Sequence, residues 1–128
     1  MTHSFFVPGI PKPKGSMRSF VNPKTGGVVS LNNDKGTKPW QTTMHYSASQ
    51  HVTSVCEGPV CLTLTFYMRQ PQKPKFPVPA VRPDIDKLAR TVLDALTGVV
   101  YLDDCQVVEL AIKKCYGAQV GVLVEVKA

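Results

Sequence analysis

The sequence predicts an α+β fold: a single domain over residues 1–128, with one mixed β-sheet and two helices packed on it. A chain of 128 residues with 43% hydrophobic content can build one core but is too short for two ordinary domains. Segments with an apolar residue at every second position alternate with two segments in which apolar residues recur roughly every four positions. Stretches rich in Pro and Gly separate these segments.

The first half of the chain is predicted to hold a hairpin and the first helix. The predicted elements are a strand over 4–7, a Pro- and Gly-rich loop over 8–18, a hairpin over 18–31 and a helix over 39–55. The helix is predicted because Pro39 suits a first turn, and because Trp40, Met44 and Ala48 are spaced four apart.

The second half is predicted to alternate between strands and one helix. The predicted elements are a strand over 60–68, a Pro-rich loop over 69–83, a helix over 86–97, a short strand over 99–102 and two strands over 106–116 and 119–127. Five prolines exclude a helix or a central strand from the loop. Gly98 is a suitable stop for the second helix.

The chain is basic, with a formal net charge of +6 and a pI near 9.3, which favours an anionic partner and nucleic acid first. The N-terminus lacks the apolar run of a signal peptide, and no stretch approaches the length of a membrane span. We therefore expect a cytoplasmic protein with no membrane partner. The four cysteines do not match zinc spacings, so we expect free thiols, with Cys61 and Cys105 buried.

Acidic residues concentrate in one window of this basic chain, residues 84–104, which holds five of the nine. They are Asp84, Asp86, Asp94, Asp103 and Asp104. A helix starting at Asp86 climbs about 15–18 Å, and an extended run over 99–103 returns about 16 Å. This geometry predicts that Asp103 and Asp104 come back beside Asp84 and Asp86.

Several ionised carboxylates in one place require a counter-charge, and Mg²⁺ prefers oxygen ligands of this kind. Such a site suits phosphodiester hydrolysis. Positive charge around it would hold a DNA backbone, and two loops supply that charge. The predicted DNA-binding residues are Lys12, Lys14, Arg18, Arg69, Lys73, Lys75 and Arg82.

Each acidic residue also has a purely structural interpretation. Asp84 suits the N-cap of a helix, and Asp86 suits an i,i+4 pair with Arg90. The pair Asp103 and Asp104 suits an ordinary surface turn. Asp94, in the middle of the helix, is expected to be a solvated or structural position outside the site.

The run from residue 84 to residue 108, DIDKLARTVLDALTGVVYLDDCQVV, resembles the core motif of the RusA-type Holliday junction resolvases of phages and prophages. That family has a D-x-D-N-L-x-K segment, then D-A-L-T/N, then D-D-x-Q-V. The spacing of the two acidic groups agrees, and the GIPKPKG segment at residues 9–15 is similar to phage members.

The resemblance implies a homodimeric, Mg²⁺-dependent crossover junction endodeoxyribonuclease, with Mn²⁺ as a substitute metal and no small-molecule cofactor. It implies branched DNA as the partner, in a bacterial cell, with the gene in a phage or prophage. It maps the catalytic, metal-binding acids onto Asp84, Asp86 and Asp104. Asp103 would support the metal site, because neighbours on an extended segment point to opposite faces.

Two positions depart from the family pattern: Lys87 replaces its Asn, and Arg90 replaces its functional Lys. Arg clamps phosphate well but does not exchange protons near neutral pH. We therefore expect Lys87 and Arg90 together to replace the family Lys. Phe76, in the second basic loop, could anchor the loop or wedge into an unstacked junction centre.

Three other functions are consistent with parts of the sequence. The chain could be a nuclease for forks, flaps or other branched DNA, or a junction-binding protein without catalysis. The complete acidic set argues against the second. A basic single-strand binder is a third, but the sequence offers too few aromatics for a stacking platform.

Overall fold

The structure is a computed structural model that describes residues 2–14, 17–21, 23–24, 26, 28–32 and 36–128. Residues 17–21 and 28–32 are described through their backbone alone. The strands are Thr2–Pro8 (β1), Met17–Val21 (β2), Val28–Asn32 (β3), Val60–Met68 (β4), Val107–Tyr116 (β5) and Gly121–Lys127 (β6). The helices are Thr37–His51 (α1) and Ile85–Leu96 (α2), with a short 3-10 helix at Asp104–Gln106.

Four strands form one mixed sheet in the order β1-β6-β4-β5. β6 is antiparallel to β1 and β4, whereas β4 and β5 run parallel. The alternation predicted for β4 is confirmed, because Val60, Leu62, Leu64 and Phe66 are all buried on one face. The predicted α+β class, a mixed sheet with two packed helices, is confirmed.

The two helices cover the buried face of this sheet. α1 buries Trp40, Met44 and Ala48, as the four-residue spacing predicts. α2 buries Leu88, Val92 and other apolar side chains and leaves its charged residues outside. Hydrogen bonds also join the two helices, since the side chains of Gln41 and His45 in α1 form hydrogen bonds with backbone carbonyls of α2.

The predicted hairpin forms, but apart from the main sheet. β2 and β3 pair antiparallel in a separate two-stranded sheet. Part of its turn, predicted at 22–27, lies outside the described residues. α1 ends at His51, four residues before its predicted end, and Val52 is already extended. The β-branched residues of the segment 52–55 are poor helix formers, which explains the earlier stop.

The predicted strand over 99–102 is wrong. Gly98 donates its N–H to the carbonyl of Tyr101 at 2.7 Å, so the chain closes a tight turn directly after α2. Tyr101 is fully buried, and its hydroxyl donates to the carbonyl of Leu93 at 2.7 Å. A short apolar run looks the same in sequence whether it forms a buried strand or a buried turn.

The cysteines are free, as expected. Cys61 is half-buried, but the expected burial of Cys105 is wrong because it lies exposed in the 3-10 helix. None of the helices in the described part of the chain is long and apolar enough to cross a membrane.

Candidate active site

The start of α2 presents the first acidic group to solvent. Asp84 occupies the N-cap, and its carbonyl accepts from the N–H of Leu88 at 3.1 Å. Its carboxylate makes no capping hydrogen bond, and the side chain is 57% exposed. The N-cap interpretation therefore accounts for the backbone of Asp84 but leaves its carboxylate available. Asp86 is also exposed, one residue inside the helix.

A cation lies beside this first acidic group. The ammonium of Lys87 is 3.6 Å from the carboxylate of Asp84, an i,i+3 pair on one helix face. Arg90 lies exposed one turn further along. Among the described residues, the ion pairs do not include the Asp86–Arg90 pair of the structural interpretation. The carboxylate of Asp86 and the guanidinium of Arg90 are both accessible to a ligand.

The second acidic group lies on the 3-10 helix, where its two members differ. The carboxylate of Asp103 accepts from the N–H of Cys105 at 3.0 Å and completes a capping box with Gln106. That hydrogen bond holds the pKa of Asp103 below its usual value. Desolvation, with the neighbouring Asp103 second, raises the pKa of Asp104. Asp103 is therefore occupied in shaping the turn, and the exposed carboxyl group of Asp104 lies beside that of Asp103.

The two acidic groups do not meet within one chain, so the predicted return of Asp103 and Asp104 to Asp84 and Asp86 is wrong. After desolvation, two neighbouring charges raise the pKa of Asp104: that of Asp103 first and that of Asp94 second. Asp94 is ten residues along α2 from Asp84, or about 15 Å at 1.5 Å per residue. In the described part of the chain, no three His, Cys, Asp or Glu side chains are grouped to hold a metal.

The turn at Gly98 is the physical cause of this separation. The geometric prediction needed an extended return along the full length of α2. The chain instead turns at once and is held there by buried Tyr101. Asp104 therefore stays near the C-terminal half of α2, whereas Asp84 lies at its N-terminus. The roles of Asp84, Asp86, Asp103 and Asp104 as metal ligands stay predictions.

Lys14 of the first basic loop pairs inside the chain, which the sequence did not indicate. Its N–H donates to the carbonyl of Lys87 at 3.0 Å, and its ammonium forms an ion pair with Asp94. The expectation that Asp94 is structural agrees with this pairing. Lys14 and Asp94 are 80 positions apart, so no local pattern could have joined them. Lys14 holds the loop along α2, and its charge lowers the pKa of Asp104.

Most of the other predicted DNA-binding residues are exposed to solvent. Lys12 is half-buried, with its stem against Gly36, and the side chain of Arg18 lies outside the described residues. The second basic loop has no helix or strand, as predicted, and its four cations are exposed. They are Arg69, Lys73, Lys75 and Arg82. Phe76 is 41% exposed, with the ammonium of Lys75 5.6 Å from its ring centre.

Lys114 of β5 is a positioning residue that sequence analysis missed. Its ammonium donates to the carbonyls of Val81 and Pro83, both at 2.9 Å. These two bonds fix the end of the second basic loop immediately before Asp84. A lysine in a strand carries no sequence pattern that indicates such a role.

Comparison with known proteins identifies the family of this chain. The family described as Endodeoxyribonuclease RusA matches residues 8–127. The chain is also 29% identical to the uncharacterized protein YqaN of Bacillus subtilis (strain 168), over 91% of this chain and 86% of that protein. The family match includes both acidic groups, both basic loops and three of the four strands of the main sheet, and leaves out β1 up to residue 7. The chain therefore belongs to the RusA endodeoxyribonuclease family.

Proposed function

We propose that this endodeoxyribonuclease resolves four-way DNA junctions by symmetric, Mg²⁺-dependent nicking. The observation that carries the proposal is the start of α2. Asp84 keeps an exposed carboxylate, paired with Lys87, and directly follows an exposed loop with four cations. A carboxylate that neither caps its helix nor is buried is suited to bind a ligand. The adjacent cations are suited to hold a DNA backbone.

The donor chemistry fits a hard divalent cation. Asp84, Asp86 and Asp104 offer accessible carboxylate oxygens, the ligands that Mg²⁺ and Mn²⁺ take. When bound, the cation would supply a more acidic water and neutralise charge on the phosphoryl oxygens. Asp103 would act through the turn, because its carboxylate is already bonded to the N–H of Cys105.

A second copy of the chain would complete the site. Within one chain, Asp104 lies near the C-terminal half of α2, whereas Asp84 lies at the N-terminus of that helix. A set of three carboxylates therefore requires acids from two chains. A homodimer also provides two equivalent sites related by a two-fold axis, and symmetric nicking of two opposed strands requires this arrangement. The homodimer would therefore supply both the three carboxylates of each site and the two-fold symmetry of the cleavage.

The remaining charged residues would bind and orient the DNA. Lys87 and Arg90 would contact the scissile phosphate, with Arg90 as the bidentate clamp, while a water attacks in line and the 3′-hydroxyl leaves. The product nicks would then carry 5′-phosphates. The exposed cations of the second loop would hold the junction arms through phosphates and carry little sequence information.

Cleavage of a synthetic mobile four-way junction by the wild type and by Asp86→Asn tests the proposal. With Mg²⁺, we expect the variant to bind the junction with unchanged affinity and to lose cleavage by at least about 100-fold. The matched control is Glu125→Gln, an exposed carboxylate on β6, which should cleave normally. Unchanged cutting by Asp86→Asn would refute the site assignment.

The same assay separates the competing substrates. A fork, a flap and a linear duplex of the same sequence are compared with the four-way junction. Faster cleavage of forks or flaps than of the four-way junction would show that another branched DNA is the preferred substrate. Junction binding without any cleavage, with Mg²⁺ or Mn²⁺ present, would refute a catalytic role.

A further inference from the structure

β5 is the longest strand in the described part of the chain and lies at an edge of the main sheet. It pairs with β4 on one side. Within the described residues, the backbone of residues 107–116 makes one hydrogen bond outside that ladder, from the N–H of Val107 to the carbonyl of Asp104 at the start of the strand. Long edge strands with unpaired backbone groups are templates for pairing with another chain, and proteins usually shorten, twist or cover them. β5 is therefore the strand of the main sheet most suited to contact a partner.

Apolar side chains are exposed along the first half of this edge. Val108 is 67% exposed and Leu110 is 36% exposed, and Leu102, shortly before the strand, is 59% exposed. Apolar side chains grouped at a sheet edge indicate a protein–protein contact more than a DNA contact. The expected partner surface is thus a polypeptide that can also satisfy the free backbone groups.

The charges of β5 indicate which polypeptide that is. We propose that β5 pairs antiparallel with the partner's β5 about a two-fold axis at Ala111, and so forms the homodimer. This register sets Glu109 opposite the partner's Lys113, twice by symmetry, and Leu110 opposite the partner's Ile112. Alanine, a small residue, faces its own copy on the axis. In the described part of the chain, neither Glu109 nor Lys113 has an ion-pair partner.

The pairing with β4 restricts the choice of register. Glu109, Ala111 and Lys113 share the sheet face of Cys61, Thr63 and Thr65, opposite the helices. A two-fold axis perpendicular to the sheet keeps both helix layers on one side, so only residues of the same face oppose each other. An axis at Leu110 or Ile112 leaves Glu109 opposite an uncharged residue. The axis at Ala111 alone pairs it with Lys113.

This interface rests on the homodimer of the proposed function and gives it a geometry. The antiparallel register brings the start of β5, just after Asp104, to the end of the partner's β5. That end carries Lys114, which holds the carbonyl of Pro83 next to Asp84. The second acidic group of each chain thus lies at the same end of the joined sheet as the first acidic group of the other.

Charge exchange across the axis tests the register. Lys113→Glu and Glu109→Lys each replace two attractive pairs with two repulsive ones, so the dimer dissociation constant should rise about tenfold or more. The double variant restores opposite charges and should return to the wild-type value. Glu125→Lys, an exposed reversal on central strand β6, is the matched control. Sedimentation equilibrium of the full chain measures each constant, with circular dichroism to confirm folding.

A wild-type monomer, or a double variant as weak as the single variants, would overturn the proposed pairing. So would a Glu125→Lys dimer weakened as much as the β5 variants. A dimer that does not depend on these charges refutes the β5 register alone and leaves the nuclease proposal standing, whereas a wild-type monomer also refutes the two-chain site of the proposed function. A dimer through β5 that cuts no branched DNA would refute the proposed function alone.

A disulfide on the axis gives an independent measurement. Opposed residues in an antiparallel ladder have Cα atoms about 4.5–5.5 Å apart, within disulfide range. Mild oxidation of Ala111→Cys should therefore give a covalent dimer above the wild-type background. Ala118→Cys, exposed in the β5–β6 turn, is the control and should not. Equal cross-linking at the two positions would overturn the register.

Discussion

Replacing Gln106 with Ala removes the side chain that holds the acidic turn in place. The side-chain carbonyl of Gln106 accepts from the N–H groups of Leu102 and Asp103, at 2.8 and 3.0 Å. Its amide donates to the carbonyls of Cys56 and Gly58, both at 2.9 Å. One side chain therefore joins the turn that carries the second acidic group to the segment before β4.

The expected loss follows from these four bonds. A hydrogen bond contributes about 1 kcal/mol net, and water replaces part of the lost bonding at this half-exposed position. We expect Gln106→Ala to lower the free energy of unfolding by about 2–3 kcal/mol. The melting temperature should fall by roughly 6–15 °C. Urea denaturation followed by circular dichroism measures the change, with an unchanged m-value as the sign that folding remains two-state.

A matched control and an activity measurement complete this test. Gln119→Ala removes an exposed glutamine from the β5–β6 turn and should change stability by less than about 0.5 kcal/mol. If Asp104 binds the metal, Gln106→Ala should also reduce junction cleavage more than junction binding. A Gln106→Ala variant as stable as the control would refute the assignment of these four hydrogen bonds as the support of the turn.

Three further predictions concern single contacts. The raised pKa of Asp104 means that its ionised form costs stability above the folded pKa. Asp104→Asn should therefore melt higher than wild type at pH 7, and a pH series of melts should show this gain disappearing near pH 4 or below. Lys114→Met releases two loop carbonyls and should weaken junction binding in a titration at fixed salt, whereas Lys127→Met, at an exposed lysine of β6, should not. Tyr101→Phe removes one of two side-chain hydrogen bonds to the carbonyl of Leu93, which keeps the one from the Thr97 hydroxyl. It should lower the free energy of unfolding by about 1 kcal/mol in urea, and an unchanged stability would contradict a buried bond there.

The sequence pattern correctly predicted those helices and strands in which buried residues recur at a single regular spacing. The alternation of β4 and the apolar stripe of α2 each hold over nine or more residues, so their type and position could be predicted. The motif over residues 84–108 likewise indicated the RusA family, which the match over residues 8–127 confirms. Short apolar segments were less predictable, because residues 99–102 fill the core from a turn instead of a strand.

The sequence by itself determined the fold class, the family and the acids and cations to be considered. Only the tertiary structure decided where they lie, because the turn at Gly98 depends on the burial of Tyr101 and on its hydrogen bond to the carbonyl of Leu93. Contacts between distant residues, such as the Lys14–Asp94 pair, are set by packing and leave no local pattern. The separation of Asp104 from Asp84 follows from that packing, and it is the reason that we propose a second copy to complete the site.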